Sequence, residues 1–377
     1  MVLEDICEFI VDCPHSTAPD EGRGYPIIRT PNVGKGRLIL DGVQKVSKET
    51  YDKRNVRAVP QKDDIIFARE APAGNAAIIR EGQEVCLGQR TVLIRPSKEK
   101  VYPQYLVYYM LAPQQQYDLL GTANGSTVAH VNIPIIRKMP VELPNMNIQI
   151  KIADIISAYE DLIENNQKQI KLLEEAAQRL YKEWFVDLRF PNREKCKIVD
   201  GVPEGWREGT IDEIAEFKRG TVITKAQVVD GNVPVVAGGL QPAYYHNKSN
   251  TIAPVITVSG SGANAGFVKL YNVDVFASDC SFVDSNVTPY LYFIYCFLKE
   301  NKASLDALQK GAAQPHVYAK DINALNVIIP TDEVLVKYTD MVTPYYGKIA
   351  ILEHQILGAK QARDRLLPKL MNGEIEI

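Results

Sequence analysis

The sequence contains an internal repeat, in which much of the second half copies the first half at a fixed distance. His130 and His316 lie in matching contexts, 186 positions apart (316 − 130 = 186). The same offset, with no gap, joins further pairs, among them Gly125 with Gly311, Pro144 with Pro330, Ile163 with Ile349 and Leu180 with Leu366. Two related copies must fold into two related structures, so the sequence predicts a pseudo-twofold internal repeat.

The two copies differ most at their starts. Residues 3–6 (LEDI) resemble residues 211–214 (IDEI), and residues 26–28 (PII) resemble residues 234–236 (PVV), but the offset is now 208 (211 − 3 = 208). The opening portions therefore differ in length and in most of their sequence. This pattern predicts two unlike modules on two similar supports, which suits a protein that presents two different surfaces.

Each copy ends in a predicted long helix. Residues 147–185 contain no proline or glycine, and their apolar residues recur at steps of three and four, the period of a helix with a narrow apolar face. Such a helix needs a partner, and the repeat supplies one. We predict an intramolecular, antiparallel coiled coil, because a whole module separates the helices in sequence; the alternative is two separate helices, each packed on its own module. The predicted seam is Ile155, Leu162, Asn166, Ile170, Leu173, Leu180, Ile349, Leu352, Ile356 and Leu366.

Two residues in these helices carry specific predictions. Asn166 lies near the seam where the apolar period slips by one residue, and a polar residue there is expected to fix the register at some cost in stability. Pro344 lies near the start of the second helix, so a kink or a late helix start is expected at that point.

The modules themselves have the pattern of mixed α/β domains. Short β-rich runs at residues 64–68 and 253–258 end at turns, and residues 105–111 and 290–298 form short apolar helices. A strand is expected to close each module, at 139–143 and 325–329. The predicted fold class is α+β, with two mixed α/β globular domains joined by the two helices. The predicted divisions are a first globular module at 1–145, a long helix at 146–190, a linker at 191–205, a second globular module at 206–330 and a C-terminal long helix at 331–377.

Composition limits the function classes. The net charge of −3 and the pI near 6.0 give no global basic signal, which counts against a nucleic-acid binder until local patches are considered. The six cysteines show no zinc-ligand spacing and are expected to be reduced, buried and structural. No apolar run approaches the roughly 20 residues of a membrane span, and the acidic start is unlike a signal peptide. A soluble, cytoplasmic protein is expected.

No catalytic motif is recognisable. The sequence lacks a phosphate-binding P-loop, a GxGxxG turn and an HExxH metal motif, and no metal site or catalytic residue is predicted. The glycine-rich stretch 260–266 (GSGANAG) is better suited to a tight turn at a strand end than to a phosphate cradle.

Polar loop residues suited to DNA contact are better represented. Arginine and lysine bind phosphates or guanine edges, although any one of them is better explained as a solvated surface charge. Core packing is an equal or better explanation for the tyrosine. The candidates in the two modules are Arg23, Arg29, Lys35, Arg37, Arg69, Arg90, Lys218, Arg219, Lys225, Tyr244, His246 and Lys248.

A repeated segment before each predicted closing strand adds further candidates. Residues 125–130 (GSTVAH) and 311–316 (GAAQPH) both combine a glycine, small or polar side chains and a histidine. The candidates there are Ser126, Thr127, His130, Gln314 and His316. A structural alternative is that the histidines satisfy buried backbone groups where the module meets the helix.

The sequence resembles the specificity subunits of Type I restriction-modification enzymes over nearly its whole length. Residues 125–144 (GSTVAHVNIPIIRKMPVELP), followed by a long helix and repeated at 311–330, are similar to the junction between module and helix in that family. Residues 202–206 (VPEGW) resemble the entry to a target recognition domain. The first module departs from the family pattern, because it begins at Leu3 without such an entry.

The resemblance implies a non-catalytic reader of double-stranded DNA. Each module would bind one half of an asymmetric, gapped target, and the coiled coil would set the gap. The helices would also dock two adenine-methyltransferase subunits, with restriction and translocase subunits outside them. S-adenosylmethionine, ATP and magnesium would then belong to the partners and not to this chain. The alternatives are a coiled-coil scaffold without sequence preference and a self-sufficient methyltransferase or nuclease.

Overall fold

The computed structural model of the protein describes residues 1–121, 130–199, 201–311 and 315–377. The chain divides into two compact units. The first unit consists of Met1–Glu164 and Ile356–Ile377, and the second of Asn165–Gln355. Each unit therefore contains one globular module and a part of each of the two long helices.

The helices include both of the long ones that the sequence predicts. The described α-helices are α1 (Lys48–Arg54), α2 (Pro103–Leu111), α3 (Pro113–Gly121), α4 (Ile133–Arg137), α5 (Met146–Tyr181), α6 (Leu291–Glu300), α7 (Lys302–Ala307), α8 (Ala319–Asn323) and α9 (Asp332–Met371). The predicted short apolar helices are confirmed as α2 and α6.

The strands are short. In the first unit they are β1 (Cys7–Asp12), β2 (Tyr25–Ile28), β3 (Gly36–Arg37), β4 (Lys45–Val46), β5 (Ile65–Ala68), β6 (Ala76–Ile78), β7 (Cys86–Leu87) and β8 (Thr91–Pro96). In the second unit they are β9 (Ile198–Val199), β10 (Val202–Pro203), β11 (Arg207–Thr210), β12 (Lys218–Arg219), β13 (Val233–Val236), β14 (Tyr244–His246), β15 (Val255–Ser259), β16 (Val268–Tyr271), β17 (Phe276–Ala277), β18 (Cys280–Asp284) and β19 (Asn326–Ile329).

The two modules have similar sheet topologies, and the first module has one more strand in its main sheet. The main sheet has the order β1-β8-β5-β6-β3 in the first unit and β12-β18-β15-β16 in the second. A smaller sheet in each unit has one central strand with an antiparallel and a parallel neighbour: β2 lies between β4 and β7, and β13 between β14 and β17. Because β2 and β13 carry the PII and PVV motifs, the pairing confirms the offset of 208 near the start of each module.

The core of each unit forms where apolar strand faces meet the short apolar helix. In the first unit, the buried side chains of β5 and β8 pack with α2, where Tyr105 is 1% exposed. In the second unit, β15 and β18 pack with α6 around Phe293. An aromatic cluster joins this second core to the helical turn Lys182–Val186 that follows α5, where the ring centroids of Phe185 and Phe293 are 4.8 Å apart. The predicted mixed α/β modules are thus confirmed.

The two long helices contact each other within each unit. In the first unit, Glu160 of α5 pairs with Arg363 of α9 at 2.5 Å. In the second unit, Asn166 contacts Gln355 at 3.0 Å, and the Tyr338 hydroxyl donates to the Ala177 carbonyl at 3.4 Å. The partner residue number in α9 falls as the α5 number rises within the second unit, which is the antiparallel direction. Coiled-coil packing itself stays a prediction.

The buried face of α5 differs from the predicted seam. Of the predicted seam residues on α5, Asn166 is buried, whereas Ile155, Ile170, Leu173 and Leu180 are only partly buried. Leu162 is 42% exposed, whereas its neighbour Ile163 is 5% exposed. Leu162 therefore does not belong to the buried seam, and Ile163 takes its place. Asn166 is 2% exposed, and its amide donates to Gln355 Oε1 at 3.0 Å. A polar pair thus lies at the predicted point of the helix interface in the second unit.

Pro344 does not delay the second helix, so the expected late start was wrong, and the alternative of a kink stays a prediction. Helix α9 begins at Asp332, more than three turns earlier. An interior proline costs roughly 3 kcal/mol in a helix. Tyr338, Val342 and Tyr346, on both sides of Pro344, are at most 1% exposed and pack into the core of the second unit. Burial of this face on the module outweighs the local preference.

One of the two predicted closing strands is absent. Residues 325–329 contain β19, which pairs with β11. Residues 139–143 form a single bridge between Val2 and Pro140, flanked by backbone hydrogen bonds from Leu3 to Met139 (2.9 Å) and from Val141 to Met1 (3.0 Å). Pro140 has no N–H group to donate to a longer ladder.

Candidate nucleic-acid interface

Most of the predicted DNA-contacting residues are exposed. Their positively charged ends are accessible to a polyanion, and they come from loops and strand ends of both units. The exposed candidates are Arg23, Arg29, Lys35, Arg90, Lys218, Arg219, Lys225 and Lys248, and Tyr244 is partly exposed. Ser126, Thr127 and Gln314 lie outside the described residues.

Arg37 is an exception, because its side chain is only 13% exposed and is held by carboxylates of α5. It pairs with Asp161 at 2.6 Å and with Glu164, and Arg80 pairs with the same two acids at 3.2 and 2.9 Å. These contacts attach the module to the helix within the first unit. Arg37 therefore has a structural role and is not a free contact for DNA.

His246 is a second exception. Its ring is buried, and Nδ1 lies 3.0 Å from the backbone nitrogen of Val229 and 3.2 Å from the carbonyl of the same residue. The ring also stands edge-on to Phe276, with centroids 5.5 Å apart. The histidine stabilises the loop before β13, and a DNA contact at this residue stays a prediction.

In the first unit, a polar network lies where three segments converge at the ends of β1 and β5. Arg69 follows β5 and is only 9% exposed. Its guanidinium donates to the carbonyl of Val131 at 3.0 Å and to Asp12 Oδ1 at 3.2 Å, and Nη2 lies 2.9 Å from His130 Nε2. These contacts tie the strand ends to the segment that follows residue 129.

The network continues from His130 to a partly exposed carboxylate and an exposed cation. His130 Nδ1 is 2.6 Å from Glu70 Oε1, and the other carboxylate oxygen of Glu70 is 2.7 Å from Arg90 Nη1. The Arg90 side chain is 63% exposed. The chain of contacts therefore starts at a nearly buried arginine and ends at an arginine that faces solvent.

The contacts of His130 define its hydrogen-bonding state. An arginine nitrogen is always a donor, so Nε2 of His130 accepts from Arg69. Nδ1 must then carry the proton and donate to Glu70, as in a neutral imidazole. Both ring nitrogens are used inside the protein. The histidine thus positions Glu70 and, through it, Arg90. Its partners are side chains, and not the buried backbone groups of the structural alternative.

The second unit builds the same backbone frame. In the first unit, the N–H of Arg69 donates to the carbonyl of Arg90 at 2.9 Å, and the carbonyl of Arg69 accepts from Val131 at 3.0 Å. In the second unit, the N–H of Gly260 donates to the carbonyl of Asp279 at 3.2 Å, and the carbonyl of Gly260 accepts from Val317 at 3.1 Å. Gly260 thus corresponds to Arg69, and Asp279 to Arg90.

A third backbone bond extends the correspondence to the first strand of each sheet. The N–H after β1 donates to the first carbonyl of β8, and the N–H after β12 donates to the first carbonyl of β18. The four residues are Cys13 and Thr91 (3.2 Å), and Gly220 and Cys280 (2.8 Å). Asp12 of β1 therefore corresponds to Arg219 of β12.

The side chains at these matched positions differ. Beside Gly260, the Ser261 hydroxyl donates to the carboxylate of Asp279. His316 lies parallel to the ring of Tyr318, at 6.0 Å between centroids. Arg219, Asp279, His316 and Tyr318 line one recess on this edge of the sheet. The acidic residues at these positions, Asp12, Glu70 and Asp279, were not among the candidates predicted from the sequence, because those were mainly hydrogen-bond donors suited to phosphate.

Two other features, a metal-ligand cluster and a membrane-spanning helix, are absent from the part of the chain that the structure describes. No group of three or more histidine, cysteine or acidic residues there could hold a metal ion. Among the same residues, no helix is both long enough and apolar enough to cross a membrane.

Comparison with known proteins identifies related sequences and a related fold. The model of a family described as Type I restriction modification DNA specificity domain matches residues 1–175 and 203–360. The MjaIX specificity subunit of the Type I restriction enzyme of Methanocaldococcus jannaschii is 26% identical over 364 residues, which cover 90% of this chain and 83% of that protein. The HindI specificity subunit of Haemophilus influenzae is 19% identical over 404 residues, covering 84% and 87%.

A solved structure has a similar fold. The S subunit of a Type I restriction-modification system from M. genitalium superposes with a TM-score of 0.60 at 16% sequence identity, and the alignment covers 98% of this chain and 95% of that one.

Proposed function

Because the chain belongs to the family of Type I restriction-modification DNA specificity domains, we propose that it recognises double-stranded DNA and directs a restriction-modification complex to its target. The first unit reads one half of an asymmetric, gapped sequence, and the second unit reads the other half. The long helices α5 and α9 set the length of the gap.

The observation that carries this proposal is the pair of matched frames with unlike side chains. Backbone hydrogen bonds place Arg69, Glu70 and Arg90 in the first unit where the second has Gly260, Ser261 and Asp279. Identical modules would favour a symmetric target, since each would make the same base contacts. Unlike side chains on one frame suit two different half-sites.

The near-neutral net charge is compatible with this role if partners share the contacts to DNA phosphates. We propose that the chain is non-catalytic and assembles with two adenine-methyltransferase subunits, which dock on the long helices, and with restriction and translocase subunits. S-adenosylmethionine, ATP and magnesium then bind to those partners.

The test is selection from a randomised duplex pool by the chain assembled with its methyltransferase subunits. We expect enrichment of one motif with two unrelated halves at a fixed spacing. Uniform binding to all sequences would contradict the proposal and favour a scaffold. Methyl transfer or cleavage by the isolated chain would instead favour an enzyme that acts alone.

A module exchange sharpens the test. Replacing residues 1–145 with the corresponding module of a relative that has a different target should change one half of the selected motif and leave the other half intact. A change in both halves would contradict the assignment of one half-site to each unit. The unaltered second unit is the internal control of this experiment.

A further inference from the structure

We propose that Arg90 and Asp279 are specificity-determining residues, which read base edges of opposite hydrogen-bonding character from the same position of the two frames. The inference rests on the proposed function and adds to it the residues and the bases. Arg90 is assigned to a guanine in one half-site, and Asp279 to a cytosine in the other.

The first step is that the two residues are structurally equivalent. Each immediately precedes the strand next to the first strand of its main sheet, β8 or β18. The carbonyl of each accepts a hydrogen bond from the residue that follows the central strand β5 or β15, at 2.9 Å for Arg90 and 3.2 Å for Asp279. The backbone thus starts both side chains from one place in the fold.

The second step is the inversion of polarity at this place. The Arg90 guanidinium has only donors, and the carboxylate of Asp279, when ionised, has only acceptors. The residue that pairs with each of these side chains also changes its hydrogen-bonding role, from acceptor to donor. Glu70, an acceptor, pairs with Arg90 at 2.7 Å, whereas the Ser261 hydroxyl donates to Asp279. Each pair joins the second residue after β5 or β15 to the residue before β8 or β18, with donor and acceptor exchanged.

The third step is that the two side chains are held ready and remain accessible. Arg90 is 63% exposed, and Glu70 is itself fixed by His130 at 2.6 Å. Asp279 is partly buried in the recess that Arg219 and His316 also line. A side chain fixed before binding loses less conformational entropy when it meets its target. This favours use of these groups for recognition over general attraction to DNA.

Base chemistry then assigns the partners. Guanine presents two acceptors, O6 and N7, in the major groove, and arginine binds both at once. Cytosine presents an amino donor, N4, which a carboxylate accepts. A carboxylate is repelled by phosphates, so a binding role for Asp279 requires a base edge. One good contact of this kind discriminates against the wrong base by roughly 5- to 150-fold.

The experiment is the same duplex selection with the assembled complex, carried out with Arg90→Gln and Asp279→Asn. Glutamine and asparagine prefer adenine. With Arg90→Gln we expect the guanine preference at one position of the first half-site to fall by 5- to 150-fold and adenine to rise. With Asp279→Asn we expect the same loss for cytosine in the second half-site. All other positions should stay unchanged.

Three further variants act as controls. Lys53→Gln removes an exposed positive charge of the first unit, paired with Glu49 at 2.6 Å, and Asp306→Asn removes a negative charge of the second unit. Neither should alter any base preference. Arg90→Lys should retain part of the guanine preference, since lysine also donates to guanine.

The outcomes separate this inference from the proposed function. If the unmodified complex selects a gapped motif but Arg90→Gln and Asp279→Asn leave every base preference intact, the inference is wrong and the function stands. If Arg90→Gln weakens binding to all sequences equally and lowers the salt dependence by about one phosphate contact, Arg90 binds phosphate and the inference is wrong. If the unmodified complex selects no gapped motif, the proposed function itself fails.

Discussion

An insertion into the two long helices tests whether they set the gap. The divisions between the units give the insertion points: Glu164 and Asn165 adjoin in α5, and Gln355 and Ile356 adjoin in α9. Four helix-favouring residues, such as Glu-Ala-Ala-Lys, inserted at both points leave the contacts inside each unit intact. The ion pair of Glu160 with Arg363 stays in the first unit.

The magnitude follows from helix geometry. Four residues add about 6 Å at a rise of 1.5 Å per residue, and rotate the helix by roughly 40° beyond one full turn. Duplex DNA rises about 3.4 Å per base pair, so 6 Å spans at most about 1.8 base pairs. Any tilt of the helices to the DNA axis reduces this. The selected gap should therefore lengthen by one or two base pairs, with both half-sites unchanged.

The assay is selection from a pool in which the spacing is randomised, with the variant assembled with its methyltransferase subunits. A matched control carries the same four residues after Gly201, an exposed position between β9 and β10. This control should keep the original gap. An unchanged gap in the helix variant, with both half-sites still selected, would refute the idea that the helices set the spacing.

Three further predictions concern stability and reactivity. The buried Arg54 guanidinium donates to the carbonyls of Leu87, Ser16 and Pro14 at 2.6, 3.0 and 3.3 Å. Arg54→Met should therefore lower the free energy of unfolding of the first unit by about 2–4 kcal/mol. Hydrogen exchange of the backbone amides should become faster in β7 and β8 but not in the second unit. Asn166→Leu should raise the free energy of unfolding of the second unit by about 1 kcal/mol, because a buried polar residue at a helix interface fixes the register at a cost in stability. Denaturant titration measures this change, and a loss of stability would contradict the role of Asn166. Burial raises the pKa of the Cys86 and Cys296 thiols to about 11 and that of Cys280 to about 12. At pH 8 these thiols are protonated and should resist iodoacetamide, and the partly exposed Cys196 should be alkylated first. Mass spectrometry of the native and the unfolded protein after alkylation measures this order.

The sequence was sufficient to predict the features that depend on local pattern. Helical periodicity predicted α5, and the ungapped repeat predicted a matching helix, because both signals lie in consecutive residues. It was insufficient to decide which of two adjacent apolar residues faces inward. Ile155 and Ile156, and likewise Leu162 and Ile163, form doublets, and a small change in helix rotation exposes one member or the other. In the folded chain Ile156 and Ile163 are the buried members, at 0% and 5% exposed.

The polar network was beyond prediction for a different reason. Asp12, Arg69 and His130 are far apart in sequence, and they meet only because the sheet brings the ends of β1 and β5 together. The positive charge of Arg69 and of Arg90 made each of them a separate candidate for DNA contact. Nothing in the residues themselves indicated that one arginine is nearly buried and the other exposed.

The equivalent positions also evade detection by alignment of the two copies. His130 and His316 keep the offset of 186, but Arg69 and Gly260 are 191 positions apart and Arg90 and Asp279 are 189 apart (260 − 69 = 191; 279 − 90 = 189). Loops of different length shift the register between them. Only the backbone hydrogen bonds, which are indifferent to side-chain identity, relate the two sets of residues.

That indifference suggests how one fold serves two readings. Backbone N–H and carbonyl groups form the shared frame, so the side chains at its strand ends are free to change from Arg69 to Gly260, or from Arg90 to Asp279, while the frame's backbone bonds are kept. The apolar side chains of β5 and β15 face the core and lack this freedom, since their loss leaves cavities. At some positions the two units share the backbone frame but differ in the side chain. Differences in recognition therefore cost least in stability at these positions.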